Sequence, residues 1–466
     1  MSQPNILWYC TDQQRFDTIG ALGNKYVRTP TLDQLCDEGV AFTHTYCQSP
    51  ICTPSRASFM TGLYPSRLGL TRNGNDTFPV EAPPLISKLI ADAGYTCGLI
   101  GKFHLLSAGH RPEPRIDDGF SEWWHSHAPR DDWPEGTHDY ADWVREKGGD
   151  LDSLRDQPER VPPEYHQTTW ASERSIEFIN RKHDAPWMLN INVYDPHPPF
   201  VPPKVYEEQF DKASLPGPYI EDGDAATQQR LQEVEFQPLQ EEVTAEVGRD
   251  IQAKYYAMIA QIDDQFARIL EALDASGQRD NTVIIFTSDH GEMLGDHGLV
   301  RKGCRFYEGL VRVPLTISWP GKFTGGKQCS GLVELLDLSA TLLDLAGVPI
   351  PAYHQGYSLL PVLRGEQEGH CLRDAARCEY FDALDQHFTG GKASYGTMYR
   401  DATHKLTLYH NADLGELYDL EHDPWEHEDM WFDEEAQSLK CELIRKSFNQ
   451  HVCVSTNVGS KRIAPM

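Results

Sequence analysis

The chain has 466 residues, 39% hydrophobic and 24% charged, a composition typical of a folded globular protein rather than a disordered one. It carries 42 Lys and Arg against 70 Asp and Glu, a formal net charge of −28, which disfavours nucleic acid and acidic membranes as partners. No stretch approaches the roughly 20 apolar residues of a membrane-spanning helix. We therefore predict no nucleic-acid or membrane partner, and two unequal lobes with a large core.

The start of the chain and its cysteines bear on the cellular compartment. Residues 1–4 contain neither a basic region nor a long apolar segment, so no signal peptide is predicted. We expect a soluble cytoplasmic protein as the chain is given, or a periplasmic or secreted one if a signal peptide was removed. The eleven cysteines include no Cys-x-x-Cys pair and indicate neither a disulfide framework nor a zinc knuckle. Most are predicted to be buried thiols.

Short apolar runs alternate with helical patterns along the first three quarters of the chain. The runs that predict buried strands are 5–10, 95–100, 187–194 and 282–287. Apolar residues with helical spacing lie between them, at 85–93 and 259–273. This alternation predicts an α/β fold with a large mixed, mostly parallel sheet flanked by helices. The acidic, weakly periodic stretches 126–167 and 206–249 are expected to be surface insertions around the site rather than core.

The pattern changes near residue 365. Alternating runs such as 405–409 and 416–418 then predict a small antiparallel sheet. We therefore predict a catalytic α/β domain over residues 1–365 and a C-terminal α+β subdomain over 366–466, with a small sheet and a terminal helix or tail. The segment 449–466 could reach a neighbouring subunit, so a homo-oligomer is left open.

Candidate ligands and catalysts follow each of the four predicted strands. They are Asp12 and Gln13 after the first, Lys102 and His104 after the second, His197 after the third, and Asp289 and His290 after the fourth. Ligands of such folds bind at the carboxyl ends of the strands. We expect these side chains to share one site.

The run Cys52-Thr53-Pro54-Ser55-Arg56 has local physics of its own. Thr53 is predicted to cap a helix whose first residue is Pro54. Residue 52 would then lie at a helix N-terminus, where backbone N–H groups and the helix dipole favour negative charge, and Arg56 adds a cation one turn later. The run thus predicts a position that stabilises an anion or a developing oxyanion.

This run resembles the Cys-x-Pro-Ser-Arg signature of the type I sulfatase family of the alkaline phosphatase superfamily, whose Cys is oxidised to formylglycine by a formylglycine-generating enzyme. Residues 61–65 and 416–420 are also similar, so the resemblance covers nearly the whole chain. It implies an alkaline phosphatase-like fold and arylsulfatase-like hydrolysis of sulfate esters. Hydrated formylglycine at Cys52 would be a geminal diol: one hydroxyl attacks sulfur, and the other expels sulfate by reforming the aldehyde.

The resemblance also implies one divalent metal ion. Its ligands would be Asp12, Gln13, Asp289, His290 and the modified Cys52. Gln13 stands where the family usually has Asp, and His290 where it usually has Asn. An imidazole ligand suits transition ions, so Mn²⁺ becomes a close second to Ca²⁺, which we keep first.

The remaining polar residues fit a two-step mechanism. His197 is predicted to be the general acid that protonates the leaving alkoxide, assisted by Lys302, and His104 the base that drives elimination of sulfate. Lys102 and Lys302, with His197, would bind the sulfate oxygens and supply the positive charge that the acidic exterior lacks. Asn73, on a Gly-bearing loop, could also reach the anion.

Two other functions remain open at this point. A phosphonate monoester or phosphate diester hydrolase of the same superfamily would use the same Cys52 chemistry and resembles the chain in Asp12-Gln13 and Asp289-His290, whereas residues 101–104 look like the sulfatase version of that loop. A non-catalytic relative that binds sulfated glycans is the second, and the intact nucleophile, metal and proton-transfer sets argue against it. The leaving group can be an aryl, alkyl or carbohydrate alcohol.

Overall fold

The computed structural model describes residues 3–108, 111–130, 132–156, 160–237, 243–369, 372–385 and 393–456. Its large sheet contains β1 (Asn5–Thr11), β2 (Val40–Tyr46), β3 (Thr96–Gly101), β4 (Glu122–His125), β5 (Trp187–Asn192), β6 (Thr282–Ser288), β7 (Arg312–Val313), β8 (Leu315–Ser318) and β9 (Lys327–Glu334). The strand order is β4-β3-β5-β1-β6-β8-β2-β7, and β9 also pairs with β2. The five strands β4, β3, β5, β1 and β6, which are neighbours in this order, are parallel. The β6–β8, β8–β2 and β2–β7 pairs are antiparallel. The predicted mixed, mostly parallel sheet is confirmed.

Helices cover both faces of this sheet, and further helices lie outside it. The helices of the described chain are α1 (Pro30–Glu38), α2 (Cys52–Thr61), α3 (Pro65–Leu68), α4 (Ile86–Asp92), α5 (Asp139–Glu146), α6 (Leu151–Arg155), α7 (Gln167–Asn180), α8 (Lys204–Glu207), α9 (Asp224–Arg230), α10 (Ala245–Ala275), α11 (Glu308–Val311), α12 (Leu335–Leu345), α13 (Leu360–Leu363) and α14 (Gln437–Thr456). Short 3₁₀ turns lie at Gly20–Leu22, Pro163–Tyr165, Lys212–Ser214, Arg279–Asn281, Asp296–Gly298 and Met430–Phe432.

Strand β1 shows why the first apolar run of the sequence is unbroken. Its side chains alternate between the two faces of the sheet, and both faces are covered. Trp8 packs edge-on against Phe59 of α2, with 5.3 Å between ring centroids. Tyr9 packs on the opposite face against Phe266 of α10, at 5.0 Å. The strand is therefore fixed from both sides, and its carboxyl end is a rigid support for the residues that follow it.

The C-terminal part contains a separate antiparallel sheet of β10 (Ala376–Phe381), β11 (Tyr395–Arg400), β12 (His404–His410) and β13 (Leu414–Asp419). Helix α14 packs on it, and Leu443 shares an apolar cluster with Leu406 and Leu417. The predicted small C-terminal lobe is confirmed. The boundary at residue 365 stays a prediction, as does a contact of the tail with a neighbouring subunit, since residues 457–466 lie outside the described chain.

The expectation that 126–167 and 206–249 are surface rather than core is wrong in part. The first stretch forms α5 and α6, and Tyr140, Val144 and Leu151 are buried in the core. The second forms α9 and the start of α10, and Leu231 is fully buried. Helices α5, α6 and α9 span only one or two turns, which is too short for a clear periodic pattern.

The cysteines of the described chain are free thiols, as predicted. Cys441 and Cys453 are exposed, and the other eight are buried. Cys371 lies outside the described residues. None of the helices in the described ranges is long and apolar enough to cross a membrane.

Candidate active site

The four strands predicted to carry functional residues are neighbours in the sheet, in the order β3-β5-β1-β6. Because they are parallel and in register, with Thr11 opposite Ser288, the residues after them begin at one level. The ladder continues one step further, since the N–H of Lys102 donates to Asn192 O at 3.0 Å and that of Asp289 to Thr11 O at 3.3 Å. The structure thus brings these strand-end residues together at one edge of the sheet.

Cys52 lies at the N-terminus of α2, but the predicted cap was wrong. The first helical hydrogen bond runs from Ser55 N–H to Ile51 O at 3.1 Å, so the helix begins at Cys52 and not at Pro54. Ile51 is the extended residue before it and provides no side-chain cap. The N–H of Thr53 donates instead to Oδ1 of Asn73 at 2.9 Å. Residue 52 is two positions deeper in the helix than expected, and the N–H of the next residue, Thr53, is capped from a distant loop.

Four charged or polar groups surround Sγ of Cys52, which is 1% exposed. They are Lys302 Nζ at 2.9 Å, His290 Nε2 at 3.2 Å, Asp12 Oδ1 at 3.6 Å and Lys102 Nζ at 3.7 Å. Burial by itself would raise the pKa of this thiol, but the charges of Lys102 and Lys302 hold the pKa well below its ordinary value. The position therefore stabilises an anion, as predicted from the sequence.

Arg56 organises the two carboxylates beside Cys52. Its Nε donates to Asp289 Oδ2 at 2.8 Å, and its Nη2 lies 3.4 Å from Asp12 Oδ2. Its Nη1 donates to the carbonyl of Lys102 at 2.9 Å. The guanidinium thus faces the carboxylates rather than Sγ, so its contribution to anion binding is indirect. Ser55 adds a further link, from Oγ to Asp289 O at 2.6 Å.

Opposite charges keep these buried groups ionised. Burial would raise the pKa of Asp12, but Lys102, His197 and Arg56 together hold the pKa below its ordinary value. Burial would lower the pKa of Lys102, whose Nζ contacts Asp12, but this carboxylate raises it. Lys102, Lys302 and Arg56 place three cationic side chains beside Cys52 and the carboxylates of Asp12 and Asp289. Cationic side chains are therefore concentrated at this centre although the protein carries a net charge of −28.

The donors beside Cys52 fit a divalent metal ion. Ligand atoms of Asp12, Cys52, Asp289 and His290 all lie within 4.8 Å of one another and are buried. Nδ1 of His290 lies 2.8 Å from the carbonyl of Gly291, which can only accept, so Nδ1 carries the hydrogen and Nε2 presents its lone pair to the centre. Asp289 raises the pKa of this imidazole against the effect of burial.

The surroundings of Gln13 show most clearly that a metal ion fits this site. It is fully buried in a left-handed backbone conformation, with φ of 71°. Its Nε2 donates to the carboxylate of Glu292, while its Oε1 has no hydrogen-bond partner among the described residues. A buried acceptor without a partner is unfavourable, and a metal ion would satisfy it. Glu292 thus fixes the amide orientation that leaves the oxygen free.

The two predicted proton-transfer histidines have different surroundings. His104 is buried close to Cys52, and burial, assisted by Lys102, lowers its pKa to about 4. Glu113 holds its loop by accepting the N–H groups of residues 104, 105 and 106 at 2.6, 2.6 and 2.8 Å. His197 is partly exposed; its Nδ1 lies 2.6 Å from Pro198 O, and burial with the charge of Lys302 lowers its pKa.

Glu292 and Glu113 were not predicted from the sequence, and Asn73 has a different contact from the one predicted. Glu292 directly follows Asp289-His290-Gly291, and its position beside a predicted ligand loop was a usable signal. Glu113 lies in an irregular segment with no pattern that would have singled it out. Asn73 was expected to reach the substrate, but its Oδ1 caps α2, so only its Nδ2 is available for that role.

Comparisons with known proteins agree with this geometry. The model of the family described as Sulfatase matches residues 4–348, and that described as N-sulphoglucosamine sulphohydrolase, C-terminal, matches residues 295–452. An arylsulfatase of Clostridium perfringens is 31% identical over 91% of this chain and 89% of its own. The multifunctional alkaline phosphatase superfamily protein PehA of Trinickia caryophylli is 31% identical, with coverage of 78% and 77%. A crystal structure of the phosphonate monoester hydrolase of Agrobacterium radiobacter aligns with a TM-score of 0.83 at 27% identity, covering 97% and 96% of the chains.

The substitution Glu292→Gln tests the role of Glu292 in orienting Gln13. The other oxygen of residue 292 accepts the N–H groups of Leu294 and Arg301, so the new NH₂ group must face Gln13. The Gln13 amide then flips and turns its oxygen away from the metal position. We expect metal affinity to fall about 10–100-fold, the usual cost of losing such an outer partner. Equilibrium dialysis with elemental analysis measures it, and Glu208→Gln, at a largely exposed carboxylate, is the matched control. Equal affinity in both variants would refute the orienting role.

Proposed function

The chain belongs to the sulfatase family, and from this premise we propose that it hydrolyses sulfate esters at residue 52 and releases inorganic sulfate. The observation that carries the proposal is the environment of Cys52: a buried nucleophile position at a helix N-terminus, with Lys302 Nζ at 2.9 Å and Lys102 Nζ at 3.7 Å. The two ammonium groups favour binding of an anionic ester there. An arylsulfatase-like substrate is the one we would test first.

We infer that Cys52 is oxidised to formylglycine by a formylglycine-generating enzyme. As a geminal diol, this residue supplies one hydroxyl that attacks sulfur and a second that expels sulfate by reforming the aldehyde. A serine could accept the sulfuryl group but could not release it in this way. Lys102 and Lys302, which lower the pKa of the thiol, would likewise stabilise an ionised hydroxyl at this position.

The residues around the nucleophile divide the remaining work. Lys102 and Lys302 bind the sulfate oxygens, and Arg56 is a positioning residue that orients both carboxylates. His197 protonates the leaving alkoxide: its Nδ1 is engaged by Pro198 O, so Nε2 is the atom that takes up and donates the proton. The pKa of His197 is lowered, which makes its protonated form less abundant at neutral pH. Lys302 therefore assists this step.

His104 is proposed as the base for the second step. With a pKa of about 4, its imidazole is neutral and able to accept a proton at any pH well above that value. It lies close to residue 52, where the hydroxyl proton must be removed when sulfate leaves. Glu113 fixes the backbone that carries it.

Asp12, Gln13, Asp289, His290 and the modified residue 52 would hold the metal ion, which neutralises charge on the ester. We propose Ca²⁺ first, since the carboxylates and the amide offer oxygen ligands, and Mn²⁺ second, because His290 offers nitrogen. Elemental analysis of the purified protein, followed by restoration of activity with each ion after chelation, is the test. Restoration by Mn²⁺ but not by Ca²⁺ would overturn this order.

A phosphonate monoester or phosphate diester hydrolase is the second candidate. The observations that favour it are the structural similarity to the phosphonate monoester hydrolase and the presence of Gln13 and His290 in the metal set. Such an enzyme would use the same nucleophile and the same cations. The alternatives therefore differ in the preferred substrate and not in the machinery.

Comparison of 4-nitrophenyl sulfate with phenyl phosphonate monoester decides between these functions. We expect the higher kcat/KM with the sulfate, and no turnover of either substrate by Cys52→Ala, which removes the nucleophile but only a small side chain. The intact mass of the active protein should be about 18 Da below that of the unmodified chain, because CH₂SH becomes CHO. A phosphonate rate well above the sulfate rate would reverse the assignment, and an inactive but fully modified protein that binds sulfated glycans would support the non-catalytic alternative.

The substitution His197→Asn should show the signature of a lost general acid. With alkyl sulfates, whose alkoxides are poor leaving groups, we expect kcat to fall about 100-fold or more. With 4-nitrophenyl sulfate the loss should be much smaller, because nitrophenolate leaves without a proton. A series of substituted aryl and alkyl sulfates measures how steeply log kcat depends on the pKa of the leaving alcohol, in the variant and in the unaltered protein.

The substitution His104→Asn is the contrasting control. It leaves the first step intact and slows release of sulfate, so rapid mixing should show a burst of alcohol followed by a slow steady state. If both variants respond equally to the leaving group and neither shows a burst, the division of roles between the two histidines is wrong.

A further inference from the structure

A second group of metal-ligand side chains lies outside the candidate active site. Asp224, at the start of α9, accepts hydrogen bonds at Oδ1 from Nδ1 of His297 at 2.9 Å and from Nδ1 of His427 at 3.1 Å. The three side chains are 5%, 4% and 9% exposed. They come from three separate segments: the 206–249 stretch, the loop after β6 and the turn after β13. No role was predicted for any of them.

The separations of Asp224 Oδ1 from the two imidazole nitrogens match those of ligands on one metal ion. Nitrogen and oxygen ligands lie about 2.0–2.2 Å from a first-row transition ion. Two such ligands separated by about 90–110° at the metal are then about 2.8–3.6 Å apart. The observed separations of 2.9 and 3.1 Å fall within this range, and all three ligand atoms lie within 4.8 Å of one another. An ion could replace the two shared hydrogens with little movement of the side chains.

The surroundings hold these side chains in place and leave room for further ligands. Oδ2 of Asp224 accepts the N–H of Glu221 at 2.8 Å, which leaves Oδ1 directed at the imidazoles. The ring of His297 stacks on Tyr307 with 3.9 Å between centroids. A cavity of about 570 Å³ is lined by Asp224, His297 and Gln228, so water can complete the coordination shell.

We propose that Asp224, His297 and His427 form a second metal site that takes a divalent first-row transition ion such as Zn²⁺. Two imidazoles and one carboxylate form a softer donor set than the oxygen-rich set around Cys52. The site shares no residue with the active site, and it does not depend on the proposed function. The bound ion joins the C-terminal lobe to the loop that carries Asp289 and His290, which makes its role structural.

The experiment uses the full chain, stripped with EDTA and then saturated with Ca²⁺. Calorimetric titration with Zn²⁺ should show one further ion bound per chain, and the unfolding temperature should rise, because an ion that binds only the folded state stabilises it. The variants His297→Gln and His427→Gln should each lose this ion and the thermal shift. His422→Gln is the matched control, since His422 lies on the same lobe, contacts Asp419 and is 82% exposed.

A hydrogen-bonded brace without an ion is the outcome that overturns the proposal. It would give no Zn²⁺ binding in the presence of Ca²⁺, or the same stoichiometry in His427→Gln as in the unaltered chain. Thermal unfolding in EDTA distinguishes the two roles. If the three side chains form only a hydrogen-bonded brace, the variants are less stable than the unaltered chain in EDTA. If they form a metal site, the difference in stability appears mainly after Zn²⁺ is added. Should the variants fail to fold, anomalous scattering at the zinc edge from crystals of the unaltered protein must show a peak among the three side chains.

Discussion

Two ionised carboxylates, Asp12 and Asp289, are fully buried beside residue 52, and the active site depends on the cations that hold them there. Burial of a charge without a partner costs several kcal/mol, and breaking such a pair typically costs about 3–5 kcal/mol. Arg56 contacts both carboxylates and Lys102 contacts one, so the charges compensate each other at fixed positions. Because Arg56 lies on the helix that begins at Cys52, the same ion pairs also fix the nucleophile relative to the strand ends.

The parallel sheet makes this arrangement possible. Strands β3, β5, β1 and β6 are adjacent and in register, so four loops leave the same edge of the sheet at one level. Helices cover both faces of β1, and the loops cannot shift along the strands without exposing Trp8 or Tyr9. A rigid scaffold of this kind holds ligands and catalytic groups within the small tolerance that catalysis requires. The 126–167 and 206–249 stretches extend the same body, since their helices pack into the core.

The charge of the site explains why relatives include both a sulfatase and a phosphonate monoester hydrolase. Sulfate monoesters and phosphonate monoesters are both tetrahedral monoanions near neutral pH, so Lys102, Lys302 and a divalent ion would stabilise either. Discrimination must then come from contacts to the rest of the ester and to the leaving group. The pairing of Gln13 with Glu292 adds a constraint on the metal, because a neutral amide beside a carboxylate can donate one hydrogen bond and still offer an oxygen ligand.

The sequence by itself determined the strands that precede Asp12, Lys102, His197 and Asp289, because unbroken apolar runs are needed for strands buried on both faces. It also determined that residue 52 lies at a helix start, although it misplaced the cap by assigning it to Thr53. Only the tertiary structure decided the orientation of the Gln13 amide, since Glu292 is 279 residues away. The same holds for Glu113 and for the meeting of Asp224, His297 and His427. Local patterns report the preferences of neighbouring residues, whereas the packing of the whole sheet sets which distant side chains become partners.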